Sequence, residues 1–527
     1  MQLTSGPASS VASLRSLYTQ NCRCHRQQQT ACTALSESEV WHSAVSRRNA
    51  LGLLSTAPLL LAGRQTAASP GGSSQNFSSL FEQRVQEIQL PNGLQFLVLQ
   101  RTNAPIVSCH THANVGAFDE VSGQTEAPLL EALDEAFYEL REAQAGSSGP
   151  SAAPLAQRFA RLQRQAGELS VSNGYGALLS RAGAVGLNAS TSHDATKFYI
   201  SLPANKLELW FALEAERFQA PVFRELYTEK QVVAEERRSR VDNAPLGPYQ
   251  EAFAHACLMN NYGRPVIGYP DDVARVGRRE LQTFFEQHYG PRALTIAIVG
   301  DVSLEEVDRL AHKYFGSWQQ PTTLVQPAPS PDLEPLPRPT SGPMRLDGVS
   351  AAGPALLQAF YRPNMKAKES TVVDVISDLL SGSRLSRMYA NLVQQERAYS
   401  AIAIPGWPGE KHASALLISA VPAAGVSLEQ LDAAIHREVD NLAASGPTPN
   451  ELQRIKKAAK FALVDAISSN SSMASALATY QVLTGSWRNI LQDLSIIDSL
   501  DAEDIRSVAA DTFAPNNCFT GYVQPLA

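Results

Sequence analysis

Cysteine is scarce in this chain, which has six cysteines among 527 residues. Three of them lie within the first 32 residues, and the others are Cys109, Cys257 and Cys518. An odd number of widely spaced cysteines predicts neither a disulfide framework nor a CxxC metal site.

A positive charge excess and a long apolar run are missing as well. The formal net charge is −7 and Lys and Arg are scattered, so nothing in the sequence favours binding to nucleic acid or anionic lipid. No segment after residue 68 is apolar over the roughly 20 residues that span a bilayer, so we expect no membrane span in the mature chain. The sequence is 44% apolar, which is enough for two or three globular domains with full cores.

The first 68 residues have the composition of a targeting region. Residues 1–35 contain no Asp or Glu and are rich in Ser, Thr, Gln and Ala, which is typical of an organelle transit peptide. Arg47 and Arg48, an apolar run over 50–62 and small residues at 66–68 then indicate a twin-arginine export signal. This order predicts delivery to a chloroplast, into the thylakoid lumen. The alternatives to the twin-arginine signal are an ordinary Sec signal and a chance pair of arginines, and the alternative destinations are a mitochondrion and a bacterial periplasm.

Prolines divide the rest of the chain into two halves. Eight prolines between residues 320 and 344 predict an extended linker, because proline is excluded from helix interiors and central strands. The linker separates a lobe over 85–319 from a lobe over 345–527. Ser303 and Ser427 each begin a capping-box pattern that opens a helix, one in each lobe. We therefore predict a duplicated α+β unit, with coincidence between two ordinary turns as the alternative.

The first lobe begins with strand and helix patterns in a definite order. Residues 94–99 follow the turn Pro91-Asn92-Gly93 and are predicted to pair as a hairpin with residues 106–113. Apolar residues at helical spacing over 129–140 and 155–169 predict a helical hairpin.

Several short motifs resemble the pitrilysin/insulinase family of zinc metallopeptidases, the inverzincins, whose metal-binding motif is HxxEH. They are LPNGL at 90–94, VGAFDE at 115–120, ERF at 216–218, EKQVVAEERR at 229–238 and YGRPVIG at 262–268. The resemblance covers nearly all of residues 85–525. It implies two homologous lobes, each a mixed or antiparallel sheet covered by helices on one face, that together form a clamshell.

The resemblance also implies a zinc site on two helices. In the family, HxxEH supplies two imidazoles and a general base, and a Glu of a later helix is the third ligand. Glu236 matches that third-ligand position, and Glu229 matches the supporting acid of the same helix.

The HxxEH segment itself is absent from the chain. No His lies between His112 and His193, and residues 128–140 resemble a segment that follows the motif in relatives. The simplest account is a clean gap at Thr125/Glu126, and a skipped exon, a gene-model error and an evolved deletion all remain open. Zinc is thus expected in the family, but no cofactor is expected in the chain as written. Because the motif helix packs on the sheet, its loss predicts exposed apolar surface and an unstable first lobe.

Other histidines are weaker candidates for metal ligands. His110 and His112 lie two residues apart on a predicted strand and share a face, although packing in the sheet is the favoured interpretation. His193 is predicted to lie in a turn before a strand.

The second lobe also departs from the family pattern. The resemblance implies an Arg and, seven residues later, a Tyr that contact substrate and stabilise an oxyanion. Tyr399 matches the Tyr, but Leu392 stands at the Arg position, with Arg387 and Arg397 as candidates to compensate.

The sequence therefore supports three hypotheses. The favoured one is a non-catalytic homologue that binds polypeptides or a catalytic homologous subunit. The first alternative is an active zinc metalloendopeptidase of short or unfolded polypeptides, with the motif segment missing from this sequence. The second is a structural core subunit of a membrane complex.

Overall fold

The structure, a computed structural model, describes residues 81–114, 128–145, 152–168, 174–219, 221, 223, 225–258, 260–320 and 344–526. The predicted targeting region 1–68 and all but the end residues of the predicted linker lie outside these ranges. The VGAFDE motif and the Thr125/Glu126 junction lie outside them too. The targeting region, the linker and the gap therefore stay predictions.

The first lobe is built on a six-stranded sheet with the strand order β1-β2-β6-β3-β5-β4. In chain order the strands are β1 Val85–Gln89, β2 Gln95–Gln100, β3 Ile106–Ala113, β4 Val185–Thr191, β5 Thr196–Pro203 and β6 Leu294–Gly300. The strand β6 pairs parallel with β2 and antiparallel with β3.

The predicted hairpin of residues 94–99 with 106–113 is wrong, although both strands exist. β6 lies between them and pairs with each. Every residue of β6 is buried, as expected for a continuous apolar run in the centre of a sheet. The turn residues between β2 and β3 show only that the chain reverses there. They do not show that β6, which is apolar on both faces, lies between the two strands.

Helices of the first lobe cover one face of its sheet. The described helices are α1 Pro128–Ala145, α2 Ala152–Glu168, α3 Gly174–Arg181, α4 Leu207–Gln219, α5 Leu226–Arg237, α6 Gly247–Cys257, α7 Pro270–Arg275, α8 Arg278–His288 and α9 Leu304–Phe315. Phe96 of β2 stacks on Phe211 of α4 in the main apolar core. The predicted helical hairpin is present as α1 and α2, and α1 contributes Leu133 to the core.

The second lobe repeats this topology. Its strands are β7 Met344–Ser350, β8 Ala355–Arg362, β9 Ala398–Trp407, β10 Ser414–Pro422 and β11 Cys518–Pro525, in the order β7-β11-β8-β10-β9. This order matches β2-β6-β3-β5-β4 strand for strand, and the parallel pair falls at the same place. The predicted class, α+β with two homologous lobes, is confirmed.

The helices of the second lobe include five between β10 and β11, as there are five described helices between β5 and β6, but one between β8 and β9, where the first lobe has three described helices between β3 and β4. Those of the second lobe are α10 Lys368–Ser381, α11 Leu428–Ser445, α12 Pro449–Ala466, α13 Asn470–Thr484, α14 Asn489–Ser499 and α15 Ala502–Thr512. Ser427 forms the predicted capping box at the start of α11, and the Ser303 side chain accepts a hydrogen bond at the start of α9. Among the described helices, none is both long enough and apolar enough to cross a membrane.

One helix of each lobe packs on the sheet of the other lobe. α6 of the first lobe packs Tyr249 and Phe253 on the second sheet, against Leu357 and Phe519. In return, α13 of the second lobe packs Leu477 and its neighbours on the strands β1, β2 and β6. Both faces of each sheet are therefore covered, one by helices of the same lobe and the other by a helix of the partner lobe.

The Phe253→Ala variant tests this exchange. Phe253 is fully buried and touches the rings of Trp407 and Phe519, so truncation leaves a cavity between the lobes. We expect the free energy of unfolding to fall by about 3–5 kcal/mol. Urea denaturation measures the change, and Phe461→Ala, at an exposed position, should stay within about 0.5 kcal/mol of the unchanged chain. Equal losses in the two variants would show that α6 is not tightly packed.

Buried hydrogen bonds around Asp194 and Tyr262, which together form a polar clasp, also join the lobes. Asp194, in the turn before β5, accepts hydrogen bonds from the Tyr262 hydroxyl and from the backbone N–H groups of Glu410 (2.7 Å) and Lys411 (3.3 Å). The Tyr262 oxygen accepts the backbone N–H of residue 412 at 3.0 Å. A Cβ at Gly409 would lie 2.7 Å from Asp194 Oδ2, so glycine allows this close approach.

Candidate functional site

Helix α5 carries both acids that the resemblance assigns to a metal site. Glu229 and Glu236 are seven residues apart, so two helical turns place them on one face. The Glu229 side chain is 1% exposed, whereas Glu236 reaches partly into solvent and forms an ion pair with Arg240 (Nη1 to Oε1, 2.7 Å). The ligand role of Glu236 and the supporting role of Glu229 stay predictions.

Two basic side chains fix α5 against α7 and the residues that flank it. Lys230 donates to the carbonyl oxygens of Ala274 (2.9 Å) and Val276 (2.6 Å), and its Nζ lies 4.2 Å from the ring centre of Phe137. Burial lowers the pKa of Lys230 to about 7. Arg237 donates to the Gly268 carbonyl at 2.8 Å. These contacts of Lys230 and Arg237 hold the helix before and after the partly exposed Glu236.

His110 and His112 share a face of β3, as predicted, but this face is turned away from α5. His110 bonds to Ser471 of α13 at 3.1 Å and stacks on Tyr199, whereas Thr111 points to the opposite side and donates to Glu214 of α4. Both histidines are buried. They are core residues beneath the helix from the second lobe, and the sheet separates them from Glu236.

The electrostatics of these histidines agree with a core position. Burial lowers the pKa of His110 to about 3, and the nearby Lys197 acts in the same direction. Burial and Lys197 also hold the pKa of His112 well below its usual range. His193 lies in the predicted turn and bonds to the Arg264 carbonyl at 2.8 Å.

The residues at α5 do not fit a zinc ion. Within the described ranges, no group of three or more His, Cys, Asp and Glu side chains is placed to hold a metal. Glu214, which faces the same side of the sheet, is committed to Arg217 (2.6 Å) and Thr111 (2.5 Å). We therefore assign no catalytic step to this chain.

The second lobe has a helix directly after the strand that corresponds to β3. That strand is β8, and five residues lead from it into α10, which packs across β9 and buries Val372, Ile376 and Leu379 in the core. After β3, the next described element is α1, and it packs on α2 and on Tyr227 of α5. In chain order, the predicted gap falls between β3 and α1, where α10 comes after β8 in the second lobe, and it stays a prediction.

Tyr399 lies near the start of β9, an edge strand, with 67% of its side chain exposed. Leu392, at the position of the missing Arg, is buried in a π-helical turn over Tyr389–Val393. Arg397 is exposed two residues before Tyr399, in the bend that leads into β9. The contact role of Tyr399 stays a prediction.

Arg387 is engaged elsewhere and is therefore a poor replacement. It forms a two-point ion pair with Glu451 (2.8 and 2.9 Å), and this hydrogen bonding lowers the pKa of Glu451 to about 2. A carboxylate with a depressed pKa contributes stability above its ordinary pKa of 4.5, and that contribution is lost as the pH falls towards 2.

Glu451→Gln is accordingly expected to cost about 1–3 kcal/mol of unfolding free energy at pH 7 and almost nothing near pH 2. Denaturant unfolding between these pH values measures the difference. Glu503→Gln, in the exposed pair with Arg506, is the control and should show no comparable pH dependence. A cost that does not change with pH would argue that the ion pair is unimportant.

The fold and the acids on α5 define a two-lobed, metallopeptidase-type α+β protein, and comparison with known families agrees. The family model "Insulinase (Peptidase family M16)" matches residues 169–268, and "Peptidase M16 inactive domain" matches residues 275–459. The chain belongs to the M16 (insulinase) peptidase family. The first of these matches begins after α2, beyond the predicted gap.

Individual relatives extend this result. The zinc protease PqqE of Helicobacter pylori is 28% identical over 355 residues, which cover 66% of this chain and 78% of that protein. A crystal structure of a protease from Helicobacter pylori superposes with a TM-score of 0.69 at 23% identity, covering 84% of this chain and 99% of the other. The first half of the periplasmic protease PqqL from Escherichia coli has a TM-score of 0.58 at 16% identity, covering 84% and 92%.

Sequence reasoning finds the acids of α5 but misses the clasp between the lobes. The sequence indicates a turn around Asp194, but its partners at 410 and 411 lie more than 200 positions away in the chain. The available signal is Tyr262 within YGRPVIG, a buried tyrosine that needs a polar partner.

Proposed function

We propose that the chain as written is a non-catalytic M16 homologue that binds polypeptides or a catalytic homologous subunit. The observation that carries this proposal is the separation at β3. Glu236 is presented on one side of the sheet, while His110 and His112 lie on the other, beneath α13. The helix that retains the acids therefore has no imidazole partner from the neighbouring strand.

Polypeptide binding is supported by the first part of an edge strand. In the described sheet of the second lobe, β9 pairs with β10 on one side, and α10 covers its other side at Ala403, whose backbone N–H donates to Ser381 Oγ (2.8 Å) and whose carbonyl accepts from Ser377 (3.0 Å). Exposed edges are usually protected by charges, but the first five residues of β9 (AYSAI) carry none, and Tyr399 and Ile402 are exposed on it. An extended peptide can add to such an edge through its backbone hydrogen bonds.

The full chain is tested for zinc, cleavage and binding together. We expect no bound zinc by elemental analysis, no cleavage of an unfolded protein such as reduced casein, and binding of extended casein peptides by fluorescence anisotropy. Ile402→Lys should weaken binding at least about tenfold, because a charge on the edge opposes strand addition. Val349→Lys, on the opposite edge strand β7, is the matched control. Zinc-dependent cleavage, or equal binding by both variants, would contradict the proposal.

The second candidate is an active zinc metalloendopeptidase whose motif segment is missing from this sequence. The intact pair Glu229 and Glu236 favours it, as does α10 in the corresponding place of the second lobe. Sequencing of the cDNA across codons 120–135 distinguishes the active peptidase from the non-catalytic homologue. A transcript with a His-containing insert supports this candidate, and a transcript identical to the present sequence supports the non-catalytic one.

The proposed location is the thylakoid lumen of a chloroplast, after removal of residues 1–68, and the proposed partner is a motif-bearing relative in the same compartment. The E. coli relative described as periplasmic supports export, and it agrees equally with the periplasmic alternative. Fractionation of chloroplasts followed by affinity purification should recover the chain with such a relative. Recovery from the stroma or cytosol would contradict the location.

A further inference from the structure

A cavity of about 500 Å³ lies in the second lobe among α10, α12 and α14. Its walls are largely apolar and include Val375, Ile455 and Leu494. Leu385, which also lines it, is 68% exposed. Arg454 of α12 lines the cavity as well. The cavity is therefore bordered by at least one exposed apolar side chain, that of Leu385.

Carboxylates converge on this apolar space. Asp374 and Asp378 are one turn apart on α10, and Asp493 projects from α14. Asp374 is already paired with the buried Arg362 at 2.9 Å, so Asp378 and Asp493 are the acids that a ligand would meet. Asp493 is held by hydrogen bonds from the Thr371 hydroxyl (2.7 Å) and the Tyr480 hydroxyl (2.8 Å). An apolar pocket with a few fixed polar groups is the usual form of a ligand site, and acids select a ligand with positive charge.

The cavity has a corresponding place in the first lobe, and the choice of a polypeptide ligand for it rests on the proposed function. α10 comes after β8, and α12 is the second helix after β10, just as α5 is the second helix after β5. The cavity is therefore the counterpart, in the second lobe, of the place in the first lobe where α5 presents Glu229 and Glu236.

The described chain begins beside this cavity. The Phe81 ring meets Trp487 edge-on at 5.9 Å, and both belong to an apolar cluster with Ile490, which lines the cavity. Glu87 holds the same region by accepting a hydrogen bond from Arg488 at 2.6 Å. Phe81, where the described part of the chain begins, therefore lies next to the cavity wall.

The residues that precede Phe81 have the complementary chemistry. From position 40 to 80 the sequence has no Asp or Glu; it carries Arg47, Arg48 and Arg64 and an apolar run over 50–62. The 17 residues from 64 to 81 can span up to about 55 Å when extended, far more than the distance across one lobe's helices. We propose that, in the chain before residues 1–68 are removed, residues 47–64 dock in the cavity, with apolar side chains on its walls and an arginine facing its carboxylates.

Photo-crosslinking in the full chain tests the contact. A benzophenone amino acid at Ala458, an exposed residue of α12 that lines the cavity, should crosslink to a peptide within residues 40–70, as identified by mass spectrometry. The same probe at Ala510, an exposed alanine of α15, is the control and should not. Crosslinks from Ala458 to other segments, or none at all, would overturn the proposal.

A binding measurement gives the strength and the chemistry. Residues 81–527 contain every described member of the four large apolar clusters, so a chain of these residues is tested with a labelled peptide of residues 47–64. The full chain, whose own segment competes at high effective concentration, should bind the added peptide at least about tenfold more weakly. Equal binding by both chains would contradict docking of the chain's own segment.

Two variants then locate the binding site. Ala458→Trp fills the cavity and should weaken the affinity of the 81–527 chain at least about tenfold, whereas Ala510→Trp should leave it unchanged. A peptide with Glu in place of Arg47, Arg48 and Arg64 should bind at least about tenfold more weakly, because like charges then meet. Unchanged affinity in Ala458→Trp would place the peptide elsewhere on the surface.

Discussion

Insertion of a helix that carries HxxEH between Thr125 and Glu126 is expected to create a zinc site holding about one ion per chain. The inserted helix would come after β3 as α10 comes after β8, on the side of the sheet where α5 presents Glu236. Two imidazoles would then join one carboxylate, the ligand set that a catalytic zinc site needs. Elemental analysis measures the metal, and we expect peptidase activity at least about 10³-fold above that of the unmodified chain.

Glu236 decides whether this gain comes from the expected site. In the chain with the insertion, Glu236→Gln should remove most of the zinc and the activity, because it deletes one of three protein ligands. Glu229→Gln, which alters the buried supporting acid, should weaken zinc affinity about 10–100-fold. Glu235→Gln, at an exposed neighbour paired with Arg238, is the matched control and should change neither. Zinc that survives Glu236→Gln would show that the third ligand has been assigned incorrectly.

The Asp194→Ala variant is expected to lose about 3 kcal/mol of unfolding free energy, a large part of the roughly 5–15 kcal/mol typical of a domain. The carboxylate accepts hydrogen bonds from Tyr262 and from the backbone of Glu410 and Lys411, all in a buried setting. Truncation leaves those donors without this acceptor, and buried donors without acceptors are costly. Chemical denaturation, followed by tryptophan fluorescence, measures the loss.

Asp194→Asn is the informative control for the clasp. It keeps a carbonyl oxygen in place of one carboxylate oxygen, so we expect less than half of the loss seen for Asp194→Ala. Asp308→Ala removes an exposed aspartate and should change stability by less than about 0.5 kcal/mol. If the Ala and Asn variants were equally stable, hydrogen bonding to Asp194 would not be the interaction that holds the lobes.

The patterns that predicted well were those that depend on neighbours in the sequence. The capping box at Ser427, the helix pair α1 and α2 and the apolar strand β6 each arise from local periodicity or local hydrogen bonding. The topology of the sheet was not accessible in this way. The hairpin error arose because β6, almost 200 residues after β2, takes the place between β2 and β3.

In the candidate site, too, local patterns could be predicted from the sequence and long-range placement could not. Motif resemblance identified Glu229 and Glu236, and the alternation of a strand placed His110 and His112 on one face. The face on which the two histidines lie is covered by α13, a helix of the other lobe that begins at Asn470. An apolar helix in a sequence does not show which sheet it will cover, so the separation of the histidines from α5 appears only in three dimensions.

The exchange of α6 and α13 between the sheets has a consequence for the proline-rich region at 320–344. Each half of the chain carries the cover for the other half's sheet, so the lobes are held by packing and do not depend on the covalent connection. A chain cleaved once by a protease in that region should therefore remain a single particle on gel filtration and separate only in denaturant. Two fragments produced from separate genes should likewise find each other and reconstitute the fold, whereas either fragment alone should aggregate through its uncovered sheet.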